Sequence, residues 1–303
     1  PYYVFASRGG EIRQEDVRQL HDSMRNVPAP EGEKILQIIP QNYIVDDEEE
    51  TANPVGTFGN KLASTFNIIL GDSVAINRLE MALKRVDIVP LGLFLNAIAS
   101  AEAVLTPDEK EEGVAVVDIG AGTTDVVVYQ KNIIRHVGII PMGGNVINKD
   151  IRSYGILEKH VENLKTRYGE AMRDAAQPDK YITTPGLSAK ASKEISSQNL
   201  AAIIEARMLD IIDFVAAGVV LTGGGAQLKH VETLFKGYTG MDARVAGAES
   251  TLDGESLETA GQPAMATAVG ILARAFDERA QNKTSRSKQQ VVRPAREEKP
   301  VTE

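Results

Sequence analysis

The sequence has no cysteine and only four histidines, and each shortage excludes a class of site. Without cysteine there is no disulfide framework and no thiolate metal centre. The histidines, at positions 21, 136, 160 and 230, include no pair with metal-ligand spacing. We find no signal-peptide pattern and no apolar run long enough to span a membrane. We therefore expect a protein of the reducing cytoplasm.

Basic residues are outnumbered by acidic ones. Lysine and arginine total 33 against 42 aspartates and glutamates, which gives a formal net charge of −9. Nucleic-acid backbones attract clustered cations, so we expect no nucleic-acid partner. The chain has 303 residues, 43% of them hydrophobic, which is ample for a core. Its length is typical of about two domains.

The most specific pattern is a polar, glycine-bearing turn between two apolar, β-branched runs. Residues 114–119 and 124–129 are typical of the two arms of a β-hairpin. The turn holds the candidate phosphate ligands Asp118, Gly120, Gly122, Thr123 and Thr124. Glycines let main-chain N–H groups approach an anion closely, and threonine hydroxyls add donors. A carboxylate would repel phosphate, so we expect Asp118 to hold a hydrated Mg²⁺ instead.

A second glycine turn follows another buried strand. An apolar run over 218–222 leads into the glycine triplet 223–225, and we expect a helix directly after it. A helix N-terminus favours anions, and bare backbone admits a flat base. The two turns together predict a nucleotide site. A strand rather than a helix follows the first turn, which excludes a Rossmann fingerprint, and there is no Walker lysine.

Three stretches carry a resemblance to a known family, namely 118–125, 140–145 and 221–226. They resemble the actin, hexokinase and Hsp70 ATPase superfamily, and within it the bacterial cell-division family FtsA, from residue 11 to residue 276. The resemblance implies an α/β fold, the actin-like (ribonuclease H-like) two-domain ATPase fold with an FtsA-type inserted subdomain. The superfamily's first phosphate hairpin has no counterpart before Val114. We therefore expect an N-terminally truncated chain, with nucleotide binding weakened by that loss.

The resemblance also divides the chain into the subdomains of that family. In chain order these are an interaction subdomain (1–72), the remainder of the first actin-like subdomain (73–112), a nucleotide-binding subdomain (113–150 and 217–262), an upper subdomain with adenosine and partner contacts (151–216), a closing helix (263–276) and a linker (277–303). The linker is nearly devoid of apolar residues, so we expect it to be disordered.

Further site residues gain a role from the resemblance alone. They are Gly143 and Gly144 beside the phosphates, and Glu162, Lys165, Gly223, Gly224, Gly225 and Ala226 around the adenosine. Glu162 and Lys165 are three apart on an expected helix and so share a face, which a plain surface ion pair would also explain. The implied cofactors are ATP and Mg²⁺, with the ion held by Asp118 through water.

The implied partners are those of a bacterial division ring. Asn199, Ile203 and Arg207 correspond to the patch that binds the C-terminal tail of the tubulin-like protein FtsZ. Residues 1–72 would contact the next protomer of a filament and other division proteins. The family usually reaches the inner face of the cell membrane through a C-terminal amphipathic helix, and this sequence shows no such helix. We expect a peripheral, cytoplasmic location at the division site.

Catalysis is expected to be weak. FtsA-like sequences often carry glutamate where this chain has Asn96, so any ATP hydrolysis is expected to be slow. Two alternatives stay open. One is an actin-fold scaffold that does not use nucleotide, and the other is a sugar-kinase-type phosphotransferase, for which we find no convincing catalytic carboxylate or sugar pocket.

Local patterns give expectations for the elements between the motifs. We expect helices over 74–85, 95–105, 158–168, 196–215 and 262–274, a strand over 88–91, a charged turn over 106–113, a loop over 177–193 and a missing loop between 215 and 217.

Overall fold

A computed structural model describes residues 2–47, 50–185, 192–213, 219–249, 251–252 and 257–276. Its strands are β1 (Tyr2–Glu11), β2 (Glu33–Val45), β3 (Phe58–Asp72), β4 (Val114–Ile119), β5 (Thr124–Gln130), β6 (Ile133–Ile140), β7 (Tyr181–Pro185), β8 (Ser192–Ser196), β9 (Val219–Thr222) and β10 (Ala243–Val245). Its α-helices are α1 (Gln14–Arg25), α2 (Ser73–Lys84), α3 (Asn96–Val104), α4 (Pro107–Glu112), α5 (Gly144–Ser153), α6 (Glu158–Tyr168), α7 (Ser197–Ile212), α8 (Val231–Thr239), α9 (Leu257–Ala260) and α10 (266–276). Short 3₁₀ helices cover Arg173–Ala175, Gly224–Gln227 and Pro263–Met265.

A mixed five-stranded sheet forms the centre of the fold, in the order β10-β9-β4-β5-β6. Strands β4, β5 and β6 make an antiparallel meander, whereas β9 and β10 run parallel to β4. Strand β4 is central, and all of its residues are buried. Asp118, near its end, lies opposite Thr222, the last residue of β9. Since parallel strands end at the same sheet edge, the two glycine turns emerge side by side.

The alternation of side chains along β4 separates two hydrophobic clusters. Val117 and Ile119 point into the cluster formed with α5 to α8, while Val114 and Val116 point into the cluster formed with α3 and α10. Successive strand residues face opposite sides of a sheet, so an unbroken apolar run suits a strand covered on both faces. The sheet is therefore a central layer between two layers of helices.

A smaller antiparallel sheet, in the order β1-β3-β2, occupies the first part of the chain. Helix α1 packs on it through Val17, Leu20 and Met24, the apolar stripe that its sequence spacing predicts. Together with Leu62 and Phe66 of β3, these residues form a separate hydrophobic cluster. The expected interaction segment therefore has a core of its own.

Two expected irregular segments are in fact regular, so both expectations were wrong. The charged turn over 106–113 is helix α4, begun by a capping box between Thr106 and Glu109 with Pro107 in the first turn. Within the expected loop over 177–193, strands β7 and β8 pair, and Ile182 lies opposite Ile195 in their shared register. The sequence patterns of the helix and of the strands lie within these segments, but the charge and proline content of the segments favoured irregular structure.

The strand expected over 88–91 is not formed. Among the described residues no strand pairs with this segment, and its apolar side chains are exposed, Val89 at 80% and Leu91 at 101%. A strand requires a partner for its N–H and C=O groups, and composition alone cannot supply one. The expectation came from local apolar content and was wrong.

The helices expected after the glycine triplet and at Gln262 begin later than expected. The triplet leads into a 3₁₀ turn, and α8 starts only at Val231. Similarly, Pro263 opens a 3₁₀ turn before α10. The expected missing loop between 215 and 217 and the expected disorder of 277–303 lie outside the described residues.

None of the helices in the described ranges is both long enough and apolar enough to cross a lipid bilayer.

The contact between α10 and α3 yields a stability prediction. A Cβ placed on Gly270 of α10 would lie 1.7 Å from the carbonyl oxygen of Ala99 in α3. We expect Gly270→Ala to push the helices apart and lower the free energy of unfolding by about 2 kcal/mol, or several degrees of Tm. Thermal denaturation followed by circular dichroism measures the change.

The matched control is Gly237→Ala, in the interior of α8, where an added Cβ meets no atom within 4 Å. Alanine is the better helix former, so this variant should keep or raise the Tm. Equal losses of stability in the two variants would contradict the packing argument.

Candidate functional site

The hairpin turn between β4 and β5 packs directly against the start of α5. The backbone N–H groups of Gly144 and Asn145 donate to the carbonyl oxygens of Gly120 and Ala121, at 3.0 and 2.8 Å. A Cβ on Gly143 would lie 2.6 Å from the Gly120 oxygen, so only glycine allows this approach. The hydroxyl of Thr124 donates to the Met142 carbonyl at 2.9 Å, which adds a further hydrogen bond between the hairpin and the segment before α5.

The glycine triplet closes against the end of β4. Gly223 has a φ of +82°, in the left-handed region, and a Cβ there would lie 2.3 Å from Oδ1 of Asp118. A Cβ on Gly225 would lie 2.3 Å from Cγ2 of Ile119. In contrast, a Cβ on Gly224 would meet nothing within 4 Å. Gly223 and Gly225 therefore allow the triplet to pack closely on β4, whereas the backbone at Gly224 borders open space.

Asp118 is a buried carboxylate behind the hairpin turn, 6% exposed. Its Oδ2 accepts hydrogen bonds from Ser100 of α3 at 2.5 Å and from Thr267 of α10 at 3.0 Å. Two hydroxyl donors offset part of the cost of burying the charge. Asp118 therefore ties the hairpin to the helices on the other side of the sheet.

A second carboxylate, Asp125, lies opposite Asp118 on β5. It accepts hydrogen bonds from the Asn96 amide and from the Thr123 hydroxyl, the latter at 3.3 Å. Burial raises the pKa of Asp125, the hydrogen bond from Asn96 works against that shift, and the neighbouring Asp118 charge adds to it. Sequence reasoning did not single out Asp125 as a site residue, although its place in the motif marked it.

Glu162 and Lys165 form an ion pair on α6, with Nζ and Oε2 2.9 Å apart. The ammonium also donates to the Gly144 carbonyl at 3.2 Å, and Lys165 is only 8% exposed. Asn148 donates to Glu162 at 2.6 Å. Burial works to raise the pKa of Glu162, but the hydrogen bonds from Asn148 and Lys165 and the lysine charge outweigh it, so the pKa is lowered.

These elements surround one cavity of about 490 Å³. Six of the expected site residues line it, namely Gly120, Gly144, Glu162, Lys165, Gly224 and Gly225. The other expected nucleotide residues are not among its lining: Asp118, Gly122, Thr123, Thr124, Gly143, Gly223 and Ala226. The cavity thus joins both glycine turns with the Glu162–Lys165 pair.

Sequence reasoning missed several lining residues. They include Ala121, Asn145, Ile147, Thr166, Gly169, Met208, Gln227, Leu228 and Lys229. Thr166 and Gly169 follow Glu162 by four and seven positions, so helical periodicity could have placed them on its face. Met208 comes from α7, and no local signal links that helix to the cavity.

The expected partner residues lie along α7. Asn199 is exposed, while Ile203 and Arg207 are partly buried, and the three are spaced four apart on the helix. Arg207 pairs with Asp150 of α5 and, at 2.8 Å, with Asp210. The hydrogen bond that Arg207 donates to Asp150 is the main cause that raises the pKa of Arg207. The structural ion pair is present, and partner binding at this face stays a prediction.

The architecture is the actin-like fold. A solved structure of MreB5 of Spiroplasma citri bound to ADP superposes with a TM-score of 0.54 at 17% identity, covering 71% of this chain and 68% of the other. The PilM-PilN type IV pilus biogenesis complex superposes with a TM-score of 0.55 at 15% identity, covering 90% of this chain and 76% of the other. At such low identity these likenesses establish the fold.

Sequence comparison then gives the family. The family model "Cell division protein FtsA" matches residues 115–270, and "SHS2 domain inserted in FTSA" matches residues 3–70. A cell division protein FtsA from Neisseria meningitidis serogroup B is 34% identical, over 89% of this chain and 68% of the relative. The FtsA of Escherichia coli K12 is 31% identical, over 86% and 67%. The chain belongs to the FtsA family of cell-division proteins.

The Glu162–Lys165 pair yields a pH prediction. A lowered pKa means that the pair stabilises the fold above the unfolded pKa of Glu162, and that this contribution is lost as the pH falls through the folded pKa. In Lys165→Met, Glu162 loses a donor and a positive charge, so its pKa should rise. Carbon-13 NMR of the side-chain carboxyl group against pH measures the midpoint.

Lys149→Met is the control for lost charge, because Lys149 is an exposed lysine on the neighbouring helix α5. It should leave the Glu162 midpoint in place. An unchanged midpoint in Lys165→Met would show that Lys165 does not set the ionisation of Glu162.

Proposed function

We propose that this chain binds ATP in the cavity between the two glycine turns. The main support is that Gly120, Gly144 and Gly224 line the same cavity although they are far apart in the sequence. The volume of about 490 Å³ is within the range of cofactor sites, roughly 300–1,000 Å³. Relatives of the same fold include MreB5, solved with ADP and with AMPPNP.

The lining of the cavity suits the different parts of a nucleotide. The backbone at Gly120 and Ala121 carries no bulky side chain and offers room for phosphates, and the bare backbone at Gly224 admits the adenosine. Glu162 and Lys165 present fixed charges that can accept from and donate to a ribose and a base. The apolar Ile147 and Met208 line the same cavity and suit a flat ring.

Mg²⁺ fits Asp118 only through water. The residue is 6% exposed, does not line the cavity, and already accepts two hydroxyl hydrogen bonds at Oδ2, so it would hold the ion only through water. The ion would offset phosphate charge. The side chain of Asn96 is an amide, which cannot act as a general base, and it already donates to Asp125. We therefore propose that hydrolysis is slow at most.

Gly224→Val tests the nucleotide site. A Cβ at this position meets no protein atom within 4 Å, so we expect the valine side chain to enter the cavity and leave the fold intact. We expect at least a tenfold loss of affinity, about 1.4 kcal/mol, because the branched side chain occupies ligand space. Titration with a fluorescent ATP analogue measures the affinity.

The matched control is Gly237→Val, at an uncrowded glycine in α8 that does not line the cavity. It should bind the analogue like the unaltered chain. Unchanged affinity in a folded Gly224→Val variant would remove this cavity from nucleotide binding and favour the scaffold alternative.

We further propose that the chain acts as an FtsA in the division ring, where it polymerises and tethers FtsZ to the membrane. Family membership supports this role, and the face of α7 supplies a candidate contact for an acidic FtsZ tail. Asp150 and Asp210 hold the Arg207 guanidinium at that face. An acidic tail would exchange with one of these carboxylates, since a guanidinium can hold two acceptors side by side.

Arg207→Glu tests that contact. The substitution replaces the cation by a third carboxylate beside Asp150 and Asp210, so an acidic FtsZ tail peptide should bind at least tenfold more weakly. Fluorescence anisotropy measures peptide affinity, and ATP-analogue binding should stay unchanged. Arg152→Glu, on the exposed end of α5, is the charge-matched control and should bind the peptide normally. Equal affinity in both variants would exclude Arg207 from the partner surface.

A further inference from the structure

Helix α5 holds both members of the ion pair on α6. Gly144 and Asn148 are four positions apart on α5, so they share a face of that helix, and Glu162 and Lys165 share a face of α6. Lys165 donates to the Gly144 carbonyl at 3.2 Å, and the Asn148 amide donates to Glu162 at 2.6 Å. Each charged side chain therefore has its own partner on α5, and the partner of Glu162 has no role in the function proposed above.

Both donors to Glu162 reach the same carboxylate oxygen. Nδ2 of Asn148 and Nζ of Lys165 lie 2.6 and 2.9 Å from Oε2. Within the described ranges, no protein group donates to the other oxygen, Oε1. Since Glu162 lines the nucleotide cavity, Oε1 remains as an acceptor for a hydroxyl group of a ligand bound there.

Glu162 depends on these contacts because it is exposed. Its side chain is 60% exposed, whereas that of Lys165 is 10% exposed. An exposed glutamate has several accessible rotamers, and the loss of that freedom opposes ligand binding. An ion pair between residues three apart on one helix stabilises that arrangement only slightly. The second hydrogen bond, from the neighbouring helix, fixes the carboxylate before a ligand arrives.

The amide of Asn148 is satisfied at its donor end only. Its Oδ1 is buried and accepts no hydrogen bond from the part of the chain that the structure describes. A buried acceptor without a donor costs folding free energy. Rotating the amide would not help, because Oδ1 would then face the Glu162 carboxylate, which has no proton to donate. The effect of Asn148 on Glu162 therefore explains this residue better than a contribution to stability does.

Asn148 also helps to keep Glu162 ionised. Burial works to raise the pKa of Glu162, and the hydrogen bond from Asn148 is the largest of the effects that lower it, ahead of those from Lys165. An ionised carboxylate only accepts hydrogen bonds, and those it accepts are stronger than those of a neutral acceptor. Orientation and ionisation thus both suit Glu162 to receive hydroxyl donors.

We propose that Asn148 is a positioning residue for recognition of the ribose hydroxyl groups of the bound nucleotide. It holds Oε2 of Glu162, so that Oε1 accepts from the ribose without further ordering of the side chain. This inference rests on the proposed nucleotide binding and adds a selectivity to it. The cavity prefers nucleotides that carry ribose hydroxyls, and Asn148, which does not itself line the cavity, sets the size of that preference.

Calorimetric titration of the full chain with ATP and with 2′,3′-dideoxy-ATP, which lacks both ribose hydroxyls, tests the proposal. The unaltered chain should bind ATP about tenfold more tightly, because the dideoxy nucleotide offers no donor to Oε1. In Asn148→Leu, which removes the amide, the preference should fall to about twofold or less through weaker ATP binding alone. The Tm should not fall, since the substitution also removes an acceptor that has no donor.

Asn148→Asp is a second variant, which keeps the shape of the side chain and replaces the donor by an acceptor. It should lose the preference for ATP as Asn148→Leu does. Carbon-13 NMR of the nucleotide-free protein adds a readout that a merely structural role would not move. The midpoint of the Glu162 titration should rise in both variants, because each removes the hydrogen bond that lowers the pKa of Glu162.

Asn163→Leu is the matched control, because Asn163 is an exposed asparagine of α6 that does not line the cavity. It should keep both the preference for ATP and the Glu162 midpoint. The inference is overturned if the two Asn148 variants keep the preference, if they weaken the binding of both nucleotides equally, or if Glu162 titrates in them as in the unaltered chain.

Failure of the proposed function gives a different result. If the unaltered chain binds neither nucleotide, the cavity is not a nucleotide site, and the inference falls with it. If the unaltered chain binds ATP and the dideoxy nucleotide equally tightly, the nucleotide site stands, and only ribose recognition through Glu162 and Asn148 is overturned.

Discussion

The shape of the cavity depends on close contacts to the backbone of glycines, where no side chain lies in between. A Cβ on Gly143 would collide with the Gly120 carbonyl, and one on Gly223 would collide with Asp118. Both contacts involve the end of β4, which is buried on both faces and fixed by two neighbouring strands. Because the strand cannot shift, the glycine turns pack at fixed positions and leave a space of defined shape.

Asp118 extends this constraint across the sheet. Its carboxylate is held by Ser100 and Thr267, which belong to helices on the face opposite α5 to α8. Removing either donor would leave a buried charge poorly compensated, a costly arrangement inside a protein. The same hydrogen bonds that stabilise the carboxylate therefore set the distance between the hairpin and α3 and α10. The site is built from both layers of helices.

Sequence predicted the parts of the site that local patterns encode. The hairpin of β4 and β5, the glycine triplet and the Glu162–Lys165 spacing all follow from residues close together in the chain, and the structure has each of them. The contribution of Met208 depends on how α7 packs, which no local pattern records. The strand expected over 88–91 also depended on information that is not local. Its composition is suitable for a strand, but no strand among the described residues pairs with it.

The parallel pairing of β4 with β9 has a consequence for how the chain is made. Ala115 and Val219 are neighbours in the sheet, yet the ribosome adds them far apart in time. The meander of β4, β5 and β6 can form early, because its turns are short, but one edge of β4 then has no partner. Such long-range parallel contacts fold slowly and leave an adhesive strand edge exposed meanwhile. Nascent chains of this protein are thus most prone to aggregate, and most dependent on chaperones, until β9 has been translated.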